Sequence, residues 1–220
     1  MNLLAIDTST TSTVLGLLLG KKIVDHTVVD AKKHSREILP AIATLMAKSD
    51  LALRDIDAIV FGQGPGSFTG LRIAVGVVQG LAYGAGLSVI PVSSMAVLAQ
   101  AQITHDGPVF VALSARLEEI YYGSYTLIDG FVSSLAPEGV KDVSILEPLP
   151  ADNWQLITDV PALQSKIASS LGVAFSSVST NTVPQVNDLL LIGRNRFELG
   201  MVVSAVEASP VYLREQVTDT

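Results

Sequence analysis

The chain has 220 residues, a formal net charge of −7 and no cysteine. Its length allows one large domain or two small ones with a buried core. Without cysteine it has no disulfide, thiol nucleophile or cysteine-ligated zinc. Because it is acidic and has no long run of Lys and Arg, we expect no strong direct binding to nucleic acid. The start of the chain does not resemble a signal peptide and no apolar run spans a membrane, so we expect a cytoplasmic protein.

The first hundred residues predict a complete α/β unit. Apolar runs predict strands over residues 3–6, 13–19, 21–29, 56–61 and 87–92, the second and third of them joined by a tight hairpin. Apolar residues at helical spacing predict helices over 34–48 and 68–83, and a third from Ser93 or Ser94 to residue 101. Three strands followed by alternating helices and strands therefore define a first unit, residues 1–102.

A second unit is expected to begin near Gly107. The pattern predicts strands over residues 109–113, 118–127, around Phe131, 154–157 and 174–178, with helices over 161–170 and 184–201. Since both units begin with strand, turn and strand, we expect a duplicated fold whose second copy, residues 103–205, is reduced. We expect the C-terminal segment, residues 206–220, to pack back on the first unit.

The turn between the strand at 56–61 and the next helix is crowded with glycine. Glycine permits a positive φ and close approach, and a helix N-terminus suits an anion. However, no Lys follows the last glycine, and the third glycine comes one position too early for a dinucleotide-binding pattern. The spacing alone therefore favours a structural turn capped by Ser67 or Thr69. We call this turn the glycine elbow; it comprises Gly62, Gly64, Pro65, Gly66, Ser67 and Thr69.

A polar turn follows the first strand. Asp7 ends the strand, and Thr8, Ser9 and Thr10 come directly after it. In open α/β sheets ligands bind beyond the carboxyl ends of the strands, so these four residues are candidates for contact with a phosphate or a hydrated metal. The alternative is that Asp7 accepts hydrogen bonds from its own turn. Both interpretations are open at this point.

The helix after the elbow carries a stripe of glycine, Gly76, Gly80 and Gly84, with Arg72 and Tyr83 beside it. Residues four apart share one helix face, and each glycine inside a helix costs about 1 kcal/mol relative to alanine. A bare stripe lets another element approach closely. That element is either the sheet of the same chain or a second subunit, and the hydrophobic content of 49% favours the second subunit.

No catalytic or metal-binding constellation is predicted. The three histidines, His26, His34 and His105, form no pair at helical spacing, and the H-E-x-x-H pattern is absent. There is no G-x-S-x-G pattern, and Ser67 has no evident base. We therefore expect neither a catalytic residue nor a metal site.

Several segments taken together resemble a known family. Residues 4–9, 34–35, 39–40, 62–72, 79–82, 92–94 and 210–214 closely resemble the TsaB (YeaZ) family, a bacterial subunit required to form threonylcarbamoyladenosine in tRNA. The resemblance implies an actin/Hsp70-like α/β fold with two related units. It also implies a pseudo-enzyme that pairs with the catalytic subunit TsaD, works with the ATPase TsaE, forms homodimers when alone and meets tRNA only through the complex.

The resemblance further implies that the partner binds the two helices of the first unit. On that basis the predicted interface consists of His34, Leu39, Ile42, Arg72, Val75, Gly76, Gln79, Gly80 and Tyr83. The first alternative is a nucleotide-binding or ATPase-like protein, with ATP or ADP at Asp7 to Thr10 or held weakly at a subunit interface. A remote alternative is a glycoprotease-like metallopeptidase, which needs a metal site. Ser114 stands where relatives commonly have an acid, which puts any ligand-binding role of that acid in doubt.

Overall fold

The computed structural model describes residues 1–29, 34–102 and 107–213, and divides the chain into two compact units. Unit 1 comprises Met1–Val97 and Val183–Val211, and unit 2 comprises Leu98–Thr182 and Tyr212–Thr220. Within the described residues, no helix combines the length and apolar character that crossing a membrane requires.

Unit 1 contains a six-stranded mixed sheet. Its strands are β1 (Asn2–Asp7), β2 (Ser12–Leu19), β3 (Lys22–Asp25), β4 (Val28–Val29), β5 (Ala58–Gly64) and β6 (Ser88–Ser93). The order is β3-β2-β1-β5-β6, and β4 pairs with β2. Strands β1, β2 and β3 are antiparallel neighbours, whereas β5 and β6 extend the sheet in parallel from β1.

The single strand expected over residues 21–29 is two strands, β3 and β4. Between them the N–H of Thr27 donates to Asp25 Oδ1 at 2.7 Å rather than to a neighbouring strand. Asp often bends the chain by accepting such a bond two residues on. The prediction of one continuous strand was therefore wrong at His26 and Thr27.

Four helices accompany this sheet: α1 (His34–Lys48), α2 (Phe68–Ala85), α3 (Ser94–Gln102), which crosses the boundary between the units, and α5 (Val186–Glu198). Helices α1 and α2 pack on the sheet face that carries Ile59 and Phe61, and share one hydrophobic core with it. Helix α5 covers the opposite face, where Val60 lies against Gly193. The sheet is thus enclosed between two layers of helices.

The expected boundary at residue 205 is corrected by the position of α5. Sequence order placed residues 183–205 in the second unit, but α5 packs on β1, β2, β5 and β6 of unit 1. The fit is close, because a Cβ added at Gly193 would lie 2.4 Å from a methyl of Val60. The physical reason is that the apolar side of α5 is buried on the first sheet.

Unit 2 repeats the strand order of unit 1. Its strands are β7 (Val109–Ser114), β8 (Glu119–Ile128), β9 (Phe131–Ser134), β10 (Gly139–Asp142), β11 (Gln155–Thr158) and β12 (Ser177–Ser179), with helix α4 (Gln164–Leu171). The order is β10-β8-β7-β11-β12, antiparallel on one side of β7 and parallel on the other. This repetition confirms the prediction of a duplicated α/β fold, the arrangement that the resemblance to an actin/Hsp70-like fold implied. The second copy is reduced, since α4 has 8 residues where α2 has 18.

Candidate functional site

The glycine elbow is fastened to the turn that follows β1. The N–H of Ser67 donates to Ser9 O at 2.7 Å, and the hydroxyl of Thr8 donates to Gly70 O at 2.7 Å. Ser67 is the N-cap of α2, because its Oγ accepts from the N–H of Gly70 at 3.2 Å. Gly64 has a φ of +100°, which glycine adopts most readily. Backbone conformation and capping together fix where α2 begins.

Gly62 and Gly66 of the elbow, and Gly70 just after it in α2, are required by close packing within the chain. A Cβ added at Gly62 would lie 1.8 Å from Asp7 Oδ2, and one at Gly70 would lie 1.9 Å from Thr8 O. A Cβ added at Gly66 would lie 2.4 Å from Ser9 O. These distances are far below van der Waals contact. The structure therefore supports the structural-turn interpretation of the elbow.

The candidate nucleotide-binding residues mostly face their own chain. Asp7 is only 1% exposed, and Thr8 and Ser9 are also buried. Asp7 Oδ1 accepts from the N–H of Ser9 at 2.6 Å, and Oδ2 accepts from the hydroxyl of Ser94 at 3.3 Å. Thr10 is half-buried, and its hydroxyl oxygen accepts from the N–H of Ser12 at 3.3 Å. These bonds occupy the N–H groups of Ser9 and Ser12, and the Thr8 hydroxyl is occupied by Gly70 O, whereas the buried Ser9 hydroxyl has no hydrogen-bond partner among the described residues.

Ser94 was missed as a neighbour of Asp7 by sequence reasoning. It follows β6, which lies two strands from β1 in the sheet, so only the strand order brings the two residues together. The signal that could have found it is its position at the carboxyl end of a predicted parallel strand.

The glycine stripe of α2 points away from the sheet. Apart from the flanking residues and the nearby backbone of α2 itself, no atom of the described chain lies within 4 Å of a Cβ added at Gly76, Gly80 or Gly84, and all three glycines are exposed. The sheet side of the helix is occupied by Leu71, Ala74, Val75, Val78 and Ala82 instead. The alternative that the stripe packs on its own sheet is therefore wrong.

Other predicted interface residues are exposed as well. Tyr83 is 78% exposed in the last turns of α2, and Leu39 on α1 is also exposed. The guanidinium of Arg72 lies 3.4 Å from the ring centroid of Phe68, so the two side chains form a cation–π pair. Phe68, which sequence reasoning did not place at the interface, is exposed as well. Its spacing of four residues from Arg72 was the available signal.

Three predicted interface residues are used inside the chain. Ile42 and Val75 are buried in the core shared by α1, α2 and the sheet. Gln79 is half-buried, and its Nε2 donates to Ala208 O at 2.8 Å. The physical reason is helical phase: Val75 and Gln79 each lie one residue before a stripe glycine, and Ile42 lies on the side of α1 that is buried in the core. The side chain of His34 lies outside the described residues.

Charged groups elsewhere do not assemble a metal site. No group of three or more His, Asp or Glu side chains able to hold a metal occurs in residues 1–29, 34–102 and 107–213. The N–H of Ser114 donates to Asp159 Oδ1 at 2.7 Å, so an acid that directly follows the neighbouring strand β11 lies beside the serine. Burial raises the pKa of the Asp188 carboxyl in the first turn of α5.

Residues 28–198 match the family model described as "TsaD: tRNA N6-adenosine threonylcarbamoyltransferase". The chain is 32% identical to the tRNA threonylcarbamoyladenosine biosynthesis protein TsaB of Haemophilus influenzae, with 99% of this chain and 95% of that protein covered. It is 31% identical to TsaB of Escherichia coli, with 99% and 96% covered.

A solved structure of YeaZ from Pseudomonas aeruginosa superposes with a TM-score of 0.86 at 33% identity, covering 96% of this chain and 99% of that one. Sequence and fold thus agree over nearly the whole length of these relatives. The chain therefore belongs to the family that the TsaD model describes and, within it, to the TsaB (YeaZ) proteins.

Proposed function

We propose that this chain is the non-catalytic subunit of the cytoplasmic complex that forms N6-threonylcarbamoyladenosine in tRNA. In this role it binds and activates a TsaD-like catalytic subunit and works with a TsaE-like ATPase. The catalytic subunit transfers the threonylcarbamoyl group, and this chain stabilises it. The names of the TsaB relatives point to the reaction, the formation of threonylcarbamoyladenosine in tRNA. The open face of helix α2 in unit 1 supports the role of a binding subunit.

The observation that carries the proposal is the open glycine stripe of α2. Three glycines in one helix cost about 2–3 kcal/mol relative to alanine, and no close packing within the described chain requires them. Helices normally pack with their axes 8–10 Å apart, the distance depending on the side chains between them. A stripe without side chains permits the two helix axes to approach to the short end of that range. The loss of helix stability that these glycines cause in the isolated chain is consistent with a helix whose surface is shaped for a partner.

The flanking residues suit a protein partner. Tyr and Arg are enriched among residues that dominate binding energy, and Tyr83 and Arg72 lie beside the stripe. With a net charge of −7, the chain itself is poorly suited to hold tRNA, so we propose that tRNA contacts it only through the complex. In the absence of the catalytic subunit, we expect a second copy to occupy the same apolar helix, giving a homodimer.

The test is to block the stripe. We expect Gly80→Leu to leave unit 1 folded and to weaken co-purification with a TsaD-like subunit at least tenfold, because the new side chain would hold the partner helix away. Ser169→Leu is the matched control, since it adds the same side chain at an exposed position of helix α4. Unchanged pairing of Gly80→Leu would contradict the interface.

A second measurement addresses the role of the subunit. The modification of tRNA is followed with TsaD-like and TsaE-like proteins and threonylcarbamoyl-adenylate, with and without this chain. We expect modification to require the chain and to be lost with Gly80→Leu. Tight binding and turnover of ATP by the isolated chain, measured by calorimetry and phosphate release, would favour the nucleotide-binding alternative instead.

A further inference from the structure

The sulfur groups of the chain differ sharply in their access to solvent. The sequence contains four methionines and no cysteine, so every sulfur atom belongs to a thioether. Met46 and Met95 are buried, with 7% and 0% of their surface exposed. The side chain of Met1 is 17% exposed, whereas Met201 is 55% exposed. The fold therefore makes Met201 the thioether that a dissolved oxidant reaches most easily.

Met201 lies directly after α5, at a helix end that is built from backbone groups. The N–H of Met201 donates to Arg196 O at 2.8 Å, and the N–H of Gly200 donates to Phe197 O at 3.0 Å. Gly200 has a φ of +70°. These features form a Schellman motif, which satisfies the last carbonyls of a helix without using side chains. A chemical change at the sulfur of Met201 therefore leaves the end of α5 intact.

The backbone on both sides of Met201 is held in place. The helix end fixes the residues before it, and Val203 exchanges two backbone hydrogen bonds with Val89, of 2.9 and 2.8 Å. Between these two points the apolar side chains of Leu199, Met201 and Val202 are all exposed. Met201 is thus presented from an ordered segment, in the middle of a short apolar run. An oxygen atom added to its sulfur turns the middle of this run polar.

We propose that Met201 is a site of reversible oxidation by a hydroperoxide. In the forward step the thioether sulfur forms a bond to one peroxide oxygen, the O–O bond breaks, and the second oxygen leaves as water. The sulfur loses two electrons and becomes a sulfoxide, while the peroxide is reduced. In the reverse step a methionine sulfoxide reductase supplies two thiols, which form a disulfide as the sulfoxide oxygen leaves as water. This site does not depend on the proposed function.

The experiment treats the folded full chain with hydrogen peroxide and follows the gain of one oxygen atom in each methionine peptide by mass spectrometry. We expect Met201 to react at least tenfold faster than Met46 and Met95, with Met1 between them. In concentrated urea we expect this difference to disappear, because all four thioethers are then exposed. Met201→Leu is the matched variant: it keeps an apolar side chain of similar size and should lose the fast reaction.

The oxidised chain is then examined for its fold and for repair. We expect its Tm to lie within about 4 °C of the parent value, since the altered group is exposed. Reductases specific for the two sulfoxide epimers should restore the parent mass without unfolding. Oxidation of Met46 or Met95 as fast as Met201 would overturn the inference. So would a sulfoxide at Met201 that appears only as the fold is lost, or one that both reductases leave in place.

Discussion

Replacing the three stripe glycines by alanine should make the isolated chain more stable and the complex weaker. In the isolated chain each added Cβ meets open space, because no atom lies within 4 Å of it at Gly76, Gly80 or Gly84. The gain is then that of helix propensity, about 1 kcal/mol for each interior position. Gly84 lies next to the helix end at Ala85 and should contribute less, which gives about 2–3 kcal/mol for the three together.

The assay is chemical and thermal unfolding at a protein concentration low enough to exclude self-association. For a chain of this size, 1 kcal/mol corresponds to about 2–4 °C in Tm, so we expect an increase of about 5–10 °C. The same variant should pair less tightly with a TsaD-like subunit, since three methyl groups would occupy the surface on which the partner helix packs.

Gly70→Ala is the internal control, because it makes the same exchange in the same helix where the Cβ would lie 1.9 Å from Thr8 O. This variant should lose stability, by an amount typical of overpacking, about 1–3 kcal/mol. A triple-alanine chain no more stable than the parent, or a Gly70→Ala chain that gains stability, would refute the orientation assigned to α2.

Three further predictions concern single residues. Leu117 has a φ of +51° and is fully exposed at the turn between β7 and β8, so Leu117→Gly should raise the unfolding free energy by about 1 kcal/mol in urea titrations; a loss would contradict the strain. Ser67→Ala removes the N-cap of α2 and should cost about 1 kcal/mol, while Ser67→Asp should retain most of the stability. Burial raises the pKa of the Asp188 carboxyl, so its charged form destabilises the fold as the pH rises through that pKa. Asp188→Asn should therefore raise Tm at pH 7 but not at a pH below the unfolded pKa of about 3.9, and an equal gain at both would contradict this cause.

The order of the elements could be read from the sequence, because apolar runs and glycine-rich turns are local signals. The glycine elbow and the helix after it were predicted, since a strand, a turn and an amphipathic helix follow one another within thirty residues. Strand β10 was not predicted, because its four residues include Lys141 and Asp142 and form no apolar run. Its pairing with β8 depends on tertiary structure.

The orientation of the helices could not be read to better than one residue. The interface predicted from the resemblance included both Val75 and Gly76, although a rotation of about 100° separates neighbouring side chains. The sheet decides which of them is buried, and Val75 lies on its side. The assignment of α5 to the second unit followed sequence order alone. An apolar helix face does not specify which sheet it covers, and only the packing of Gly193 against Val60 identifies the sheet of unit 1.

Unit 1 is discontinuous in sequence, and this has a consequence for synthesis on the ribosome. The chain leaves unit 1 at Val97 and returns to it at Val183, so one face of the first sheet waits for α5 while the 85 residues 98–182 are translated. Domains commonly fold from the N-terminus as they emerge, yet here β1 to β6 lack their second helical layer for about 4–17 s at about 5–20 residues per second. The residues that follow α5, among them Ala208, whose carbonyl accepts from Gln79 of α2, are made later still. A chain interrupted before Val183 would therefore present the glycine stripe on a unit that lacks its second helical layer.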